Sequence, residues 1–416
     1  MACDSREAVI HDTSPIALKR LRAYTTLIAV CIWTILAVDF SVEGPVDRLG
    51  KVKGTDFLHF YVTGSLARDG RWDQLYDVRA QYARAQAVAP ASPDTLFIPI
   101  ESPQTALLVA PLAARHYEAA LVVWLAIIIL LYAGSCAVMW RDCRALRDHR
   151  YLVVASCIAF PGLYSVVLHG QLSSLGLACV AAALFALRRG WRFTAGLALG
   201  LLVFKPHWVA AAAAVFLAAR EWRVAAGTLV CAAGQLAATF VVVGSRVMAA
   251  YWQALRSLPR IAAFLEPRPS DSLRGLFTLL MPSDALAVAL YGMAAIATLV
   301  VASGIWRSRA PIEVRYSAAV LALVLISPHV GAYDLVLLAP IYFLLSNWLA
   351  RSADITHRPA LSGLLCASFI APICGGLPAM FRMQLTVGTM VGLLFVLWHS
   401  VNDRGLVGAC ALTAAV

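Results

Sequence analysis

Charge is scarce in this chain. Asp, Glu, Lys and Arg together make up 14% of 416 residues, where a soluble domain carries about 25%. Hydrophobic residues reach 61%, so water cannot be the solvent for most of the sequence. Several chemical signatures are missing as well. There is no Gly-rich phosphate loop ending in Gly-Lys-Ser/Thr, no dinucleotide fingerprint, no His-Glu-x-x-His and no Cys-x-x-Cys, which excludes the familiar nucleotide and zinc chemistries. The polar stretch from 43 to 116 holds no Asp-x-Asp pair and no cysteine. The first absence speaks against a metal-held nucleotide sugar, and the second against a disulfide framework outside the membrane. No metal or cofactor is expected, and a divalent cation has no support in the residues. No repeat of the inverted or parallel kind common in carriers is visible.

What is present is a succession of apolar runs. A bilayer core of about 30 Å needs about 20 apolar residues per helical crossing, and such runs lie near 23–42, 117–139, 151–168, 172–187, 224–243, 284–305, 313–327, 335–349, 360–376 and 385–400. Residues 193–219 form one more apolar stretch, with basic residues at both ends and Lys205-Pro206-His207 in the middle. A single crossing would put basic clusters on both sides of the membrane, whereas two short helices broken at Pro206 keep them on one side. The expected fold is an all-α integral membrane protein, a single domain over 1–416 with about 12 transmembrane helices. The net charge of +11 sits in short loops between these runs, as in Arg141, Arg144, Arg147 and Arg150, which marks cytoplasmic loops rather than a nucleic-acid surface. The orientation that follows puts both termini in the cytoplasm, with an uncleaved first helix. A large first loop, 43–116, and a second, 244–283, lie outside. Helical patterning appears at 55–69 and 74–87, and 105–113 is too short to cross and is expected at the interface.

The few polar residues on the outer side are therefore informative. Asp56 opens a helix that returns to the membrane, with His59 and Phe60 on the same face. A carboxylate partly desolvated at a membrane cavity can act as a general base, and the alternative is a helix N-terminus. Lys205 and His207 sit at mid-membrane depth, where a charge is expensive and faces a cavity or an anion, unless the lysine snorkels. As a point charge, Lys205 suits a phosphate. Two outer turns complete the set: His169-Gly170-Gln171, and His329 with Tyr333 and Asp334, both of which turn chemistry alone would also explain.

In order and membrane position these motifs resemble glycosyltransferase family 87, a branch of the GT-C membrane glycosyltransferases. They are Asp56-Phe57, Phe60-Tyr61, Gly64, Gly70 and Leu75-Tyr76-Asp77, then Ala110-Pro111-Leu112, Gly170-Gln171, AGLALGLLVFKPH at 195–207 and SPHVGAYDLVLL at 327–338. The resemblance spans about 50–340. It implies a GT-C-like bundle and a polyprenyl-phosphate-linked sugar donor, mannose- or pentose-like, with a hydroxyl of a lipid or polysaccharide as acceptor. It also implies inverting transfer on the periplasmic face of a bacterial inner membrane. Asp56 would be the base. Lys205, His207 and His329 would hold the donor phosphate, while His59, Tyr61, Glu101, Gln171, Tyr333 and Asp334 would bind substrate. Where the family often has Tyr-Pro-Pro, this chain reads Glu101-Ser102-Pro103, which offers the cavity a second carboxylate. The rival readings are a transporter or flippase for a lipid-linked glycan and a non-catalytic scaffold of envelope assembly. A structured first loop carrying Asp56 favours the enzyme.

Overall fold

A computed structural model describes residues 15–90, 92, 97–262, 270–352, 355, 357–374 and 384–413. Among these the chain is helical throughout, with one isolated bridge between Val46 and Val52. After α1 (Pro15–Phe40), the first loop folds into α2 (Thr55–Arg68), α3 (Val78–Val88) and α4 (Pro103–Val109). The chain then runs through α5 (Tyr117–Asp142), α6 (Arg150–Ala159), α7 (Pro161–His169), α8 (Ser173–Arg188), α9 (Arg192–Gly200) and α10 (Pro206–Ala218). It continues with α11 (Trp222–Ala262), α12 (Leu273–Leu280), α13 (Asp284–Arg307), α14 (Ile312–Ile326), α15 (Ala339–Arg351) and α16 (Arg358–Ile370), and a further helix spans Leu385–Thr413.

Six of the described helices are long and apolar enough to cross a membrane, or seven if the bent pair Arg144–Ala159 and Pro161–His169 counts as one span. Each remaining apolar run of the sequence also holds a helix, but a shorter one: α8, α9, α10, α14 and α16 have 9 to 16 residues. Side-chain exposure agrees with a hydrocarbon surround. Leu130 is 70% exposed, Val241 82% and Ile296 64%, on helices that would be strongly unfavourable to leave bare in water. In the middle lies α14, buried from Tyr316 through Ile326. Around it sit α10, α13 and α15, the Tyr316 hydroxyl donates to the Val180 carbonyl of α8, and the indole of Trp208 is wholly enclosed.

Three features of local chemistry position the site. Pro206 has no N–H to give to the helix before it, and Lys205, the residue preceding it, is driven to an extended conformation (φ −118°, ψ 90°), as a pre-proline residue prefers. The apolar stretch 193–219 is thereby broken into α9 and α10 at Lys205, as the sequence predicts. Secondly, α9 and α11 approach backbone to backbone. A Cβ on Gly196 would stand 2.1 Å from the Val224 carbonyl oxygen, and one on Gly227 2.2 Å from that of Phe193. Only small residues permit so close a crossing in a membrane. We expect Gly196→Val to separate these helices and cost about 1–3 kcal/mol of stability, in line with overpacking, read as a lower melting temperature of the detergent-solubilised protein. An unchanged melting temperature would contradict the close crossing. Thirdly, α11 breaks at Gly244 (φ 84°, ψ 168°), a backbone conformation open to glycine alone. The part beyond it turns to rest on α4 and on residues 72–74 of the first loop. The second loop is thus in large part a continuation of a spanning helix.

Candidate active site

The site is assembled on the turn between α7 and α8. Gly170 adopts φ 67° there, and a Cβ on it would lie 2.6 Å from Cβ of Phe57, so the turn and the start of α2 touch because both residues and backbone allow it. Trp124 fixes the turn further by donating its indole N–H to the Gly170 carbonyl at 2.7 Å. Gln171, buried at the next position, donates from Nε2 to Asp56 Oδ2 at 2.8 Å, while its own Oε1 accepts the Leu172 N–H at 3.0 Å. The glutamine amide is therefore held in one orientation and presents a fixed donor to the carboxylate. Asp56 Oδ1 has no hydrogen-bond partner among the described residues.

Asp56 is not the helix cap. The N-cap of α2 is Gly54 in a left-handed conformation, with no side-chain cap. The aspartate lies within the first turn, where the helix dipole favours its negative charge, and its side chain reaches across to α8's turn.

Two residues after Gln171, the same turn reaches a second group. Ser173 donates to Asp334 Oδ1 at 2.6 Å, and Lys205 Nζ donates to that same oxygen at 2.6 Å. Asp334 Oδ2 accepts the Gly331 N–H at 3.0 Å. Asp334 is 1% exposed and Lys205 14%. Both oxygens of Asp334, which the sequence offers as a substrate contact, thus accept bonds within the protein, and Lys205 is one of the donors. Lys205 is paired rather than a lone cation. Its ammonium also lies 4.5 Å from the centre of the Trp208 ring and 5.0 Å from that of Tyr333, two aromatic faces that favour a positive charge. Because Gln171 and Ser173 are two residues apart, at most roughly 7 Å of chain separates the anchor of Asp56 from the anchor of the Lys205–Asp334 pair. The two halves belong to one site.

Glu101 joins them from the first loop. Burial pushes its carboxyl up to about 7, opposed by the attraction of Lys205 and reinforced by repulsion from Asp56 and Asp334. The side chain is half-buried, so it borders the same space rather than lying under it. The sign of the linkage follows from this. Folding raises the pKa of this acid, so the folded state binds the proton more tightly, and that contribution is complete below the unfolded value near 4.5 and lost as pH rises through about 7. Melting temperature should therefore be higher at pH 5 than at pH 8, and Glu101→Gln should remove a part of the difference worth on the order of 2–3 kcal/mol. Identical pH profiles for the variant and the wild type would refute this. The acid Asp271, pushed by burial to about 6 and bonded to Thr386, contributes with the same sign in both proteins and cancels in the comparison.

The other expected site residues divide. His207 lies within electrostatic reach of Lys205, Asp334 and His329, and its Nε2 is buried with no hydrogen-bond partner among the described residues. His329 is exposed on a loop tied to residues 270–272 through the Asp271 N–H to Val330 carbonyl bond and the Ser270 hydroxyl. Tyr333 sets its ring edge-on to His169 at 5.6 Å. His59 belongs elsewhere. Its ring bonds Gln81 at 3.1 Å and stacks on Phe97 at 4.8 Å, and burial lowers its pKa to about 4, so it packs α2 on α3 as a neutral group. Tyr61 likewise donates to the Arg115 carbonyl and packs on Tyr117, which docks α2 on α5. Sequence reasoning missed Ser173 and Tyr251. Ser173 follows the Gly170-Gln171 motif by two residues and carried a positional signal, whereas nothing in its neighbourhood marks Tyr251. Among the described residues no three His, Cys, Asp or Glu side chains gather as metal ligands.

These observations define a helical membrane protein whose loops and broken helix enclose ionisable groups. The family model for glycosyltransferase family 87 matches residues 100–328, more than half of the 416, and the chain belongs to that family. It is accordingly a membrane glycosyltransferase. The matched region includes Glu101, Gln171, Ser173 and Lys205 and begins after Asp56. No curated protein and no solved structure matches the chain.

Proposed function

We propose that the chain transfers a mannose- or pentose-like sugar from a polyprenyl-phosphate donor to a hydroxyl of a lipid or glycan acceptor, with inversion, at the periplasmic face of a bacterial inner membrane. In this reading the bundle is one domain of twelve crossings with both termini inside, the short helices completing the six long ones. The observation that carries it is the turn 170–173, which holds a carboxylate with a free oxygen on one side and a paired lysine on the other.

The chemistry runs as follows. Asp56 Oδ1 takes the proton of the acceptor hydroxyl as its oxygen attacks the anomeric carbon. The bond from that carbon to the phosphate oxygen breaks, and its electron pair leaves with the polyprenyl phosphate. Lys205 gives one N–H to Asp334 and retains two further donors, which serve the departing phosphate, with His329 nearby and His207, whose Nε2 has no hydrogen-bond partner among the described residues, beside them. Stabilisation of charge developing at a leaving group is among the largest contributions an enzyme makes. In-line inversion requires base and lysine to flank the reacting carbon from opposite sides, the arrangement this reading assigns to them.

Reconstituting the purified chain in vesicles with polyprenyl-phosphate-linked hexoses and pentoses, and following sugar incorporation into lipid and glycan acceptors, tests this reading. Transfer with inverted anomeric configuration is expected. Movement of the lipid-linked sugar across the bilayer without transfer would make the chain a flippase and overturn it.

A further inference from the structure

Around Glu101 the structure gathers polar groups that neither the base nor the phosphate role uses. The Tyr76 hydroxyl donates to the Glu101 carbonyl oxygen at 3.0 Å. The Tyr76 ring lies beside that of Tyr251, with centres 5.8 Å apart and planes tilted by 33°. Tyr251 comes from the far side of the Gly244 break in α11, is 4% exposed, and has a hydroxyl with no hydrogen-bond partner among the described residues. That hydroxyl lies within electrostatic reach of the Glu101 carboxyl. Gln104 stands on the first turn of α4, the helix against which α11 rests, and both its amide N and its amide O are buried and unpartnered. Leaving three such polar atoms unsatisfied is costly, so sites of this kind are filled by a polar partner.

We propose that Glu101, Gln104, Tyr76 and Tyr251 form a sugar-hydroxyl subsite that takes vicinal hydroxyls of a glycosyl ring next to Asp56. The chemistry selects this ligand class. A phenol, a carboxyl and a primary amide each donate and accept, or can do so, which matches hydroxyls that do both. An anion is disfavoured, because the cluster itself holds a carboxyl and no cation, and the lysine sits at the Asp334 end of the site. An alkyl chain would leave every one of these polar atoms unsatisfied. The proposal rests on the glycosyl-transfer reading above, and the ring in question belongs either to the donor sugar or to the acceptor.

The test separates the two claims. Saturation-transfer NMR of methyl hexosides and pentosides against the full chain in nanodiscs reads the subsite without any turnover. Removing one hydrogen bond is expected to weaken binding by about fivefold, so Tyr251→Phe and Glu101→Leu should each reduce the signal by that factor or more. Glu101→Gln, which keeps a donor and an acceptor, should restore it. Melting curves of each variant identify any that fail to fold, and Glu101→Gln against Glu101→Leu remains decisive if Tyr251→Phe does. In the transfer assay, a KM rise for the donor places the donor sugar at the cluster, and one for the acceptor places the acceptor there. Unchanged glycoside signals in Tyr251→Phe and Glu101→Leu would mean that water alone fills the cluster and would overturn the proposal. Absence of transfer by the wild type with glycoside signals behaving as stated would defeat the reaction and spare the subsite.

Discussion

Asp56→Asn should lower the turnover of sugar transfer by about 10²–10⁴, the range over which a positioned general base contributes, with little change in the KM for donor. The isosteric amide can still accept from Gln171 Nε2 through its own oxygen, with its NH2 group at the position of Oδ1, so melting temperature should stay near the wild-type value. This separation of rate from stability is the signature of a group that acts on the reacting proton. It follows from the geometry: Oδ2 is taken up by Gln171 at 2.8 Å, and Oδ1 has no hydrogen-bond partner among the described residues. Asp334 does not compete for the role, because both its oxygens are occupied. Single-turnover transfer at saturating donor is the measurement, and wild-type speed in the variant would remove Asp56 as base.

The second large effect concerns the Lys205–Asp334 pair. Lys205→Met strands a carboxylate that is 1% exposed, and breaking a buried pair in this way costs about 3–5 kcal/mol. The single variant should melt well below the wild type or fail to accumulate. Lys205→Met combined with Asp334→Asn removes both charges and should regain most of that stability, yet it should remain inactive in transfer because the leaving phosphate has lost its ammonium. Thermal denaturation and transfer assays on the two variants and the wild type decide the matter. Full activity in the double variant would confine the pair to a structural role, and wild-type melting in the single variant would deny the pair itself.

Much of the architecture is legible in the sequence because the bilayer imposes a simple rule. Apolar runs must be helices whose backbone bonds are satisfied internally, and every run read from the sequence corresponds to a helix. The break at Lys205-Pro206 is legible for the same reason, since proline's missing N–H acts locally. Legibility fails where partners are distant in the chain. His59 and Asp56 share a helical face by spacing, but Gln81 and Phe97, 22 and 38 positions further on, draw the histidine into the loop. Lys205 reads as a bare charge until Asp334 arrives from 129 residues away. Tyr251 is hidden by the reading of 244–283 as loop, because a single glycine conformation at 244 decides whether α11 ends or bends and continues. Helix lengths were the other gap: a periodic run tells that a helix forms, and its burial among neighbours decides how long it needs to be.

The four-residue turn at 170–173 has a mechanical consequence. One short bend carries both Gln171, which bonds Asp56, and Ser173, which bonds the carboxylate paired with Lys205, so the covalent chain between them limits how far these two contacts can separate. Under the proposed transfer reaction, the bend would act as a gauge set by covalent bonds, so that changes in the loops above it could retune which molecule enters while the spacing of base and lysine is kept.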